Sequence, residues 1–237
     1  PQEAAAAQEG KGPKVPVVIA VMGGAWVMGH RAWNAQLGQR LMDFGVLVVA
    51  VDYRNFPIAY VPEMVDDLNR AISWTFSHIE AYGGGTSNVM LIGQSAGAHL
   101  SALLLLEHSL LEARGEEEQR DKQDGSARLL PDGWSTRDLK LFLGVSGAYD
   151  LVALESHLIS RGIYHRILYS LTVDGDLAGC SPTRILRESD WRAFSRLSAP
   201  RLPPMHLFHG GKDKSVPSWS SKDLAQALKE LGVSDVQ

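Results

Sequence analysis

Five stretches of this chain are apolar without alternation: Val15 to Met22, Val46 to Val51, Val89 to Ile92, Leu139 to Val145 and Pro203 to Phe208. Runs of that length and composition, rich in β-branched residues, predict strands buried on both faces. Between them the apolar residues recur every three or four positions. Trp33, Leu37 and Leu41 predict a helix from Ala32 to Phe44, and Met64, Leu68, Ile72 and Phe76 predict one from Pro62 to about Tyr82, with the proline well placed at its start. Leu100, Leu103 and Leu104 predict a helix from Ala96 to Leu111, and a last one runs from Ser220 to Leu231, closed by Gly232. Strand, helix, strand repeated in this way predicts an α/β fold with a mostly parallel, doubly wound sheet and right-handed crossovers.

Three stretches break the rhythm. Residues 1–13 are too polar and simple to pack and read as a disordered tail, leaving one domain over residues 14–237. Residues 113–137 carry nearly every charge type and little to bury, which predicts a solvated insertion. Residues 151–192 mix apolar pairs with polar residues in no sheet rhythm and predict a helical cap over the carboxyl edge of the sheet. Within the cap, Leu154, Leu158, Ile159, Ile163, Tyr164, Ile167, Leu168 and Leu171 exceed what a surface excursion needs, so some are expected to line a pocket.

Composition narrows the chemistry. With 237 residues, 45% hydrophobic, the chain suits a single domain with a substantial core. A net charge of −4 offers no basic field for nucleic acid, which is set aside as a partner. Cys180 stands alone, so an internal disulfide is impossible, and no Cys/His spacing suggests a metal; no cofactor is expected. No apolar run reaches the length of a membrane span, and the piece reads as soluble. It begins at Pro1 and stops at Gln237, just after a helix-like segment, and is expected to be incomplete at both ends.

The strand at Val89–Ile92 runs straight into Gly93-Gln94-Ser95-Ala96-Gly97 and then a helix. A Gly-x-Ser-x-Gly has mechanical meaning in that context, because the serine sits on a strained strand-to-helix turn where bulky neighbours would clash. Ser95 is the candidate nucleophile, and the Ala96 amide, at a helix N-terminus, points at any anion formed beside it. Gly23-Gly24-Ala25 also leaves a strand at the same sheet edge, either as a second source of oxyanion donors or as an ordinary tight turn. Asp213, two residues after Gly210-Gly211, stands where a catalytic acid would orient a histidine; the bland alternative is a surface turn aspartate.

Taken together, Gly23-Gly24-Ala25-Trp26, Asp52 to Pro57, Gly93 to His99, Ser146 to Tyr149, Arg161 to Tyr164, Ser181-Pro182 and His209 to Pro217 resemble the α/β-hydrolase esterases of the hormone-sensitive-lipase-like group. Within that group they most resemble the plant-type isoprenylcysteine α-carbonyl methylesterases. The resemblance implies Ser95 as nucleophile, Asp213 as acid, and Gly23, Gly24, Ala25, Gln94 and Ala96 as oxyanion and substrate cradle. It also implies a prenylcysteine methyl ester, or the C-terminus of a prenylated protein, as substrate, and association with endoplasmic reticulum and Golgi membranes. Met22 departs from the group, which usually has histidine there.

A larger departure concerns the base. The order in this fold is Ser, Asp, His, yet none of His30, His78, His99, His108, His157, His165, His206 and His209 follows Asp213. The base is expected beyond Gln237, after a strand beginning near Val236 whose absence would leave Met205–Phe208 with an unpaired edge. Of the histidines present, His30, beside the oxyanion loop, is the candidate substitute; His99 is expected to face away or pack, and His209 to brace the acid loop. A general carboxylesterase or arylformamidase, and a hydrolase-fold binding protein without catalysis, are the alternative functions.

Overall fold

In the computed structural model, which describes residues 13–121, 133–162, 166–188 and 201–237, the five predicted runs form one sheet in which every pairing is parallel. The strands are β1 (Val15–Val21), β2 (Leu47–Val51), β3 (Gly84–Gln94), β4 (Leu139–Val145) and β5 (Met205–Phe208), in the spatial order β2-β1-β3-β4-β5. The central strands need apolar residues on both faces, and Val17 to Val21 of β1 are at most 6% exposed. Strand order reverses between β1 and β3. In a doubly wound sheet this switch point opens a crevice at the carboxyl edge, and the loops after β1 and β3 both leave there.

Helices α1 (Ala35–Met42), α2 (Val61–His78) and α3 (Ala96–Asp121) complete the first three crossovers. The predicted helix at Ala32–Phe44 is a 3-10 turn, Arg31–Asn34, followed by the shorter α1. Pro62 sits in the first turn of α2, where a missing amide hydrogen is harmless, and Glu63 accepts from the Tyr60 amide at 2.8 Å. Helix α3 is buried nearly all round in its first three turns. Leu100, Leu103, Leu104, Leu105 and Leu106 are each at most 3% exposed, and a side chain of this size contributes about 1.5–3 kcal/mol when fully buried.

Two expectations about the charged stretch change. Helix α3 continues ten residues past Leu111, to Asp121, because Glu, Gln and Arg are good helix formers whether or not they pack. Residues 122–132 of the predicted insertion lie outside the described residues, but its end is no solvated surface. Trp134 is fully buried, stacked on His108 at 4.1 Å between ring centroids and donating to Asn69 at 2.8 Å. Thr136, also fully buried, binds Glu112 through its amide (3.1 Å) and hydroxyl (3.0 Å). The expected tail at residues 1–13 falls outside the described residues except for Pro13.

Between β4 and β5 lie α4 (Leu151–Ser160), α5 (Ile167–Leu171) and α6 (Pro182–Ile185), the described part of the predicted cap; its residues 163–165 and 189–192 are outside the described set. Asp150 caps α4 by accepting from the Ala153 amide at 2.9 Å and ties it to α6 through Arg184 at 2.8 Å. The final helix, α7 (Trp219–Glu230), follows β5. The edge of β5 is not left bare as expected. Residues 235–237 already run parallel to it, with Met205 N donating to Asp235 O at 2.8 Å and Leu207 N to Gln237 O at 2.8 Å.

Candidate active site

Ser95 stands between the end of β3 and the start of α3, and its backbone is left-handed, with φ +52°. A non-glycine residue there is strained by about 1–3 kcal/mol and persists only where its neighbours hold it. Here the Ser95 amide donates to Val145 O (2.8 Å) and its carbonyl accepts from the His99 amide (3.0 Å). The flanking glycines are required by close approach. A Cβ on Gly97 would lie 2.5 Å from the carbonyl oxygens of both Val21 and Met22, and one on Gly93 would lie 2.6 Å from Ala98 Cα. The first turn of α3 is thereby pressed onto the end of β1.

That contact brings the second loop to the serine. A Cβ on Gly23 would fall 2.8 Å from Ser95 Cβ and 2.4 Å from Gln94 Oε1, so the Gly-Gly-Ala turn lies directly against the nucleophile turn. Gly24, Ala25 and Trp26 follow in succession with positive φ (130°, 50° and 62°). The Gly23 amide donates to Gln94 Oε1 at 3.2 Å, whereas the amides of Gly24, Ala25 and Ala96 have no acceptor among the described residues. Of the predicted cradle, these three amides are the ones left unpaired by the described residues. Gln94 and Gly23 act as a brace between the two loops.

Trp26 is 4% exposed, and its indole Nε1 donates to His99 Nδ1 at 3.1 Å. His99 is fully buried, and its Nε2 lies 2.7 Å from Cys180 O. Burial lowers its pKa to about 4, against the partial opposition of the Cys180 hydrogen bond. The expectation that His99 packs is met, but its polar contacts were missed. The signal for them lay in a tryptophan directly after Gly-Gly-Ala and a histidine four residues after the serine, one helical turn above it.

Asp213 occupies the loop after β5. Its Oδ1 accepts from the Ser215 amide at 2.8 Å and the Val216 amide at 3.1 Å, while Oδ2 makes no hydrogen bond among the described residues. A carboxylate fixed on one oxygen and open on the other is suited to holding an imidazole. The loop is braced from both sides. His209 contacts Ser221 Oγ and Val216 O, each at 2.7 Å, and its Nε2 stays 3.8 Å from Asp213 Oδ2. From the cap, His157 Nε2 lies 2.9 Å from Lys214 O, to which Arg161 also donates. His30, the proposed substitute base, instead accepts from the Ala32 amide at 3.1 Å and faces Asp52. β3 and β5 are two strands apart, about 10 Å at the usual interstrand spacing.

A groove of about 580 Å³ is lined by Phe56, Tyr60, Tyr169, Thr172, Val173 and Asp174. Phe56 joins it to the site, since its amide donates to Trp26 O at 2.8 Å. None of the described apolar cap residues expected to form a pocket lines it. Leu154, Leu168 and Leu171 are buried in the core, Leu158 and Ile167 pack against it, and Ile159 is exposed; Ile163 and Tyr164 are outside the described residues. Among the described residues no group of His, Cys, Asp and Glu is arranged to hold a metal ion.

Comparisons with known proteins agree on the class. The BD-FAE family model matches residues 5–167. A probable isoprenylcysteine alpha-carbonyl methylesterase, ICMEL1 of Arabidopsis thaliana, is 38% identical over 223 residues, covering 93% of this chain and 43% of that protein. Esterase LipQ of Mycobacterium tuberculosis is 28% identical over 232 residues, 95% of this chain and 48% of that protein. This chain thus spans about half the length of the curated relatives it matches. Among solved structures, an esterase B from Lactobacillus rhamnosis inhibited by a tributyrin phosphonate superposes with a TM-score of 0.68 at 20% identity, covering 96% of this chain and 64% of that one. A bacterial heroin esterase gives 0.63 at 22% identity, covering 94% and 64%. At such identities the structures support the fold.

Proposed function

This chain belongs to the BD-FAE family of α/β-hydrolase esterases, and from that premise we propose that the protein is a serine carboxylesterase that cleaves the methyl ester of a C-terminal prenylated cysteine. The observation that carries the esterase reading is the strained Ser95 turn held in contact with the Gly23–Ala25 loop. In the proposed reaction Ser95 Oγ attacks the ester carbonyl as a histidine takes its proton. The amides of Gly24, Ala25 and Ala96 stabilise the oxyanion of the tetrahedral intermediate. Its collapse breaks the carbonyl–methoxy bond, the histidine returns the proton to methanol, and a water molecule, activated by the same base, releases the acid and regenerates Ser95. Asp213 orients that histidine through its open Oδ2. We place the base in sequence following Gln237, since no described histidine bonds to Asp213 Oδ2.

The prenylcysteine substrate is supported by the 38% identical plant relatives, whose names carry that activity, and by the groove near the site, where Phe56, Tyr60, Tyr169 and Val173 offer apolar surface among the polar Thr172 and Asp174. Each methylene buried there contributes about 0.8 kcal/mol, so a fifteen-carbon chain would be favoured over a short ester by several kcal/mol. A location at endoplasmic reticulum and Golgi membranes, where such substrates are met, belongs to the same proposal; no helix among the described residues is long and apolar enough to cross a membrane. The test is kcat/KM of the full-length protein for farnesylcysteine methyl ester against the methyl ester of unprenylated cysteine. We expect a preference of at least 100-fold, on the order of 3 kcal/mol. Equal values would leave a general carboxylesterase.

A further inference from the structure

We infer that His99 is a positioning residue: through the Trp26 indole it holds the oxyanion loop in register with the turn that carries Ser95. The inference rests on the esterase reading above, and its own support is geometric. The backbone amide of His99 donates to Ser95 O at 3.0 Å, while its side chain accepts from Trp26 Nε1 at 3.1 Å. One residue thus grips the nucleophile turn with its main chain and the donor loop with its ring.

The ring can do this in only one form. An indole nitrogen donates and never accepts, so Nδ1 must present its lone pair to Trp26. Nε2 must then carry the proton, which it donates to Cys180 O at 2.7 Å. The neutral Nε2–H tautomer satisfies all three buried polar groups, and the depressed pKa is consistent with it. The ring also meets the indole edge-on, at 5.3 Å and 87°.

A tether is needed because the loop is strained. Ala25 and Trp26 are non-glycine residues with φ +50° and +62°. Besides the Trp26 indole, the loop is held by Phe56 N to Trp26 O and by the Gly23–Gln94 brace. Gly24 and Ala25, whose amides are the open donors, lie between these anchors. Displacing catalytic donors by about 1 Å costs on the order of 100-fold in rate. The far end of the ring reaches the cap, where Ser181, next to Cys180, accepts from the Leu151 amide and donates to Leu177 O.

Two substitutions separate the two ends of the ring. Asparagine places an acceptor where Nδ1 lies, and glutamine places a donor where Nε2 lies. In the full-length protein, His99→Gln should lower kcat about 100-fold with KM changed less than threefold, whereas His99→Asn should recover most of that loss. Trp26→Phe should match His99→Gln, and the double variant should be no slower than either single one, because both cut the same tether. The indole proton of Trp26, assigned by its disappearance in Trp26→Phe, should exchange slowly in the wild type and in His99→Asn and rapidly in His99→Gln.

A His99→Gln enzyme with wild-type kcat, losses that multiply in the double variant, or an indole proton as labile in the wild type as in His99→Gln would each overturn the assignment. A role in stability alone would lower the melting temperature of both His99 variants without the kcat split, and would overturn it too. Failure of the esterase reading looks different. The wild type would then hydrolyse no ester, while the indole exchange experiment would still decide whether His99 holds the loop.

Discussion

The two halves of the candidate site are built in opposite ways. At the Ser95 turn, position is set by backbone pressed on backbone: Gly97 against the ends of Val21 and Met22, Gly23 against Ser95, and a fully buried histidine behind both. At the Asp213 loop, position is set by hydrogen bonds near the surface, with two amides on Oδ1, Oδ2 open, and His209, His157 and Arg161 bracing the chain around it. On the proposed mechanism a nucleophile and its oxyanion donors must meet within tenths of an ångström, and the switch point of the sheet holds the two loops together by steric contact. The acid needs only to hold an imidazole, and a hydrogen-bonded turn suffices. The first half should therefore fail through misfitting or deletion, the second through loss of charge and orientation.

Ser95→Ala should have the largest effect, a loss on the order of 10⁶ in kcat with the fold intact, measured by ester turnover and circular dichroism. Asp213→Asn should cost roughly 10⁴, because the amide favours the wrong histidine tautomer while leaving the loop folded. If the two losses were equal, or if Asp213→Asn unfolded the protein, the contrast between the halves would be wrong. Gly97→Ala tests the steric half. With its new Cβ 2.5 Å from two backbone oxygens, it should lose about 3 kcal/mol, which lowers the melting temperature of a chain this size by roughly 6–12 °C. The same change at Gly211, around which a Cβ meets nothing within 4 Å, should lower it little.

Smaller effects sharpen the picture. His99 has a folded pKa of about 4, below the ordinary value near 6.5. Between those values the unfolded chain binds a proton that the folded protein refuses. The contribution is therefore complete above pH 6.5 and falls as pH drops toward 4, by ~3 kcal/mol at most. The urea midpoint of His99→Asn should accordingly fall less between pH 7 and pH 4.5 than that of the wild type. Smallest of all, Val173→Asp in the groove should reduce kcat/KM for farnesylcysteine methyl ester about tenfold, in keeping with one apolar side chain, and alter the unprenylated ester less than twofold.

The parts legible in the sequence were those dictated by local chemistry. Uninterrupted apolar runs marked all five strands, and the Ser95 turn was visible because glycine is required on both sides of a serine at positive φ. His209 was readable as a brace from its place at a strand end. What escaped depended on partners distant in the chain. Trp134 lies among charges but is buried by His108 and Phe76, and the cap leucines satisfy the core rather than a pocket. Gln94 was expected in the substrate cradle, yet its side chain accepts from the Gly23 amide 71 residues away. The link from Trp26 to His99 spans 73 residues, so the sequence marks its two ends, the tryptophan after Gly-Gly-Ala and the histidine after the serine, but not their pairing.

The central claim is that Ser95 is an activated nucleophile. Full-length protein treated with a fluorophosphonate, digested and sequenced by mass spectrometry, should carry one stoichiometric adduct, on Ser95, and Ser95→Ala should carry none. An adduct on another residue, or an unmodified Ser95 in protein that hydrolyses esters, would contradict the account.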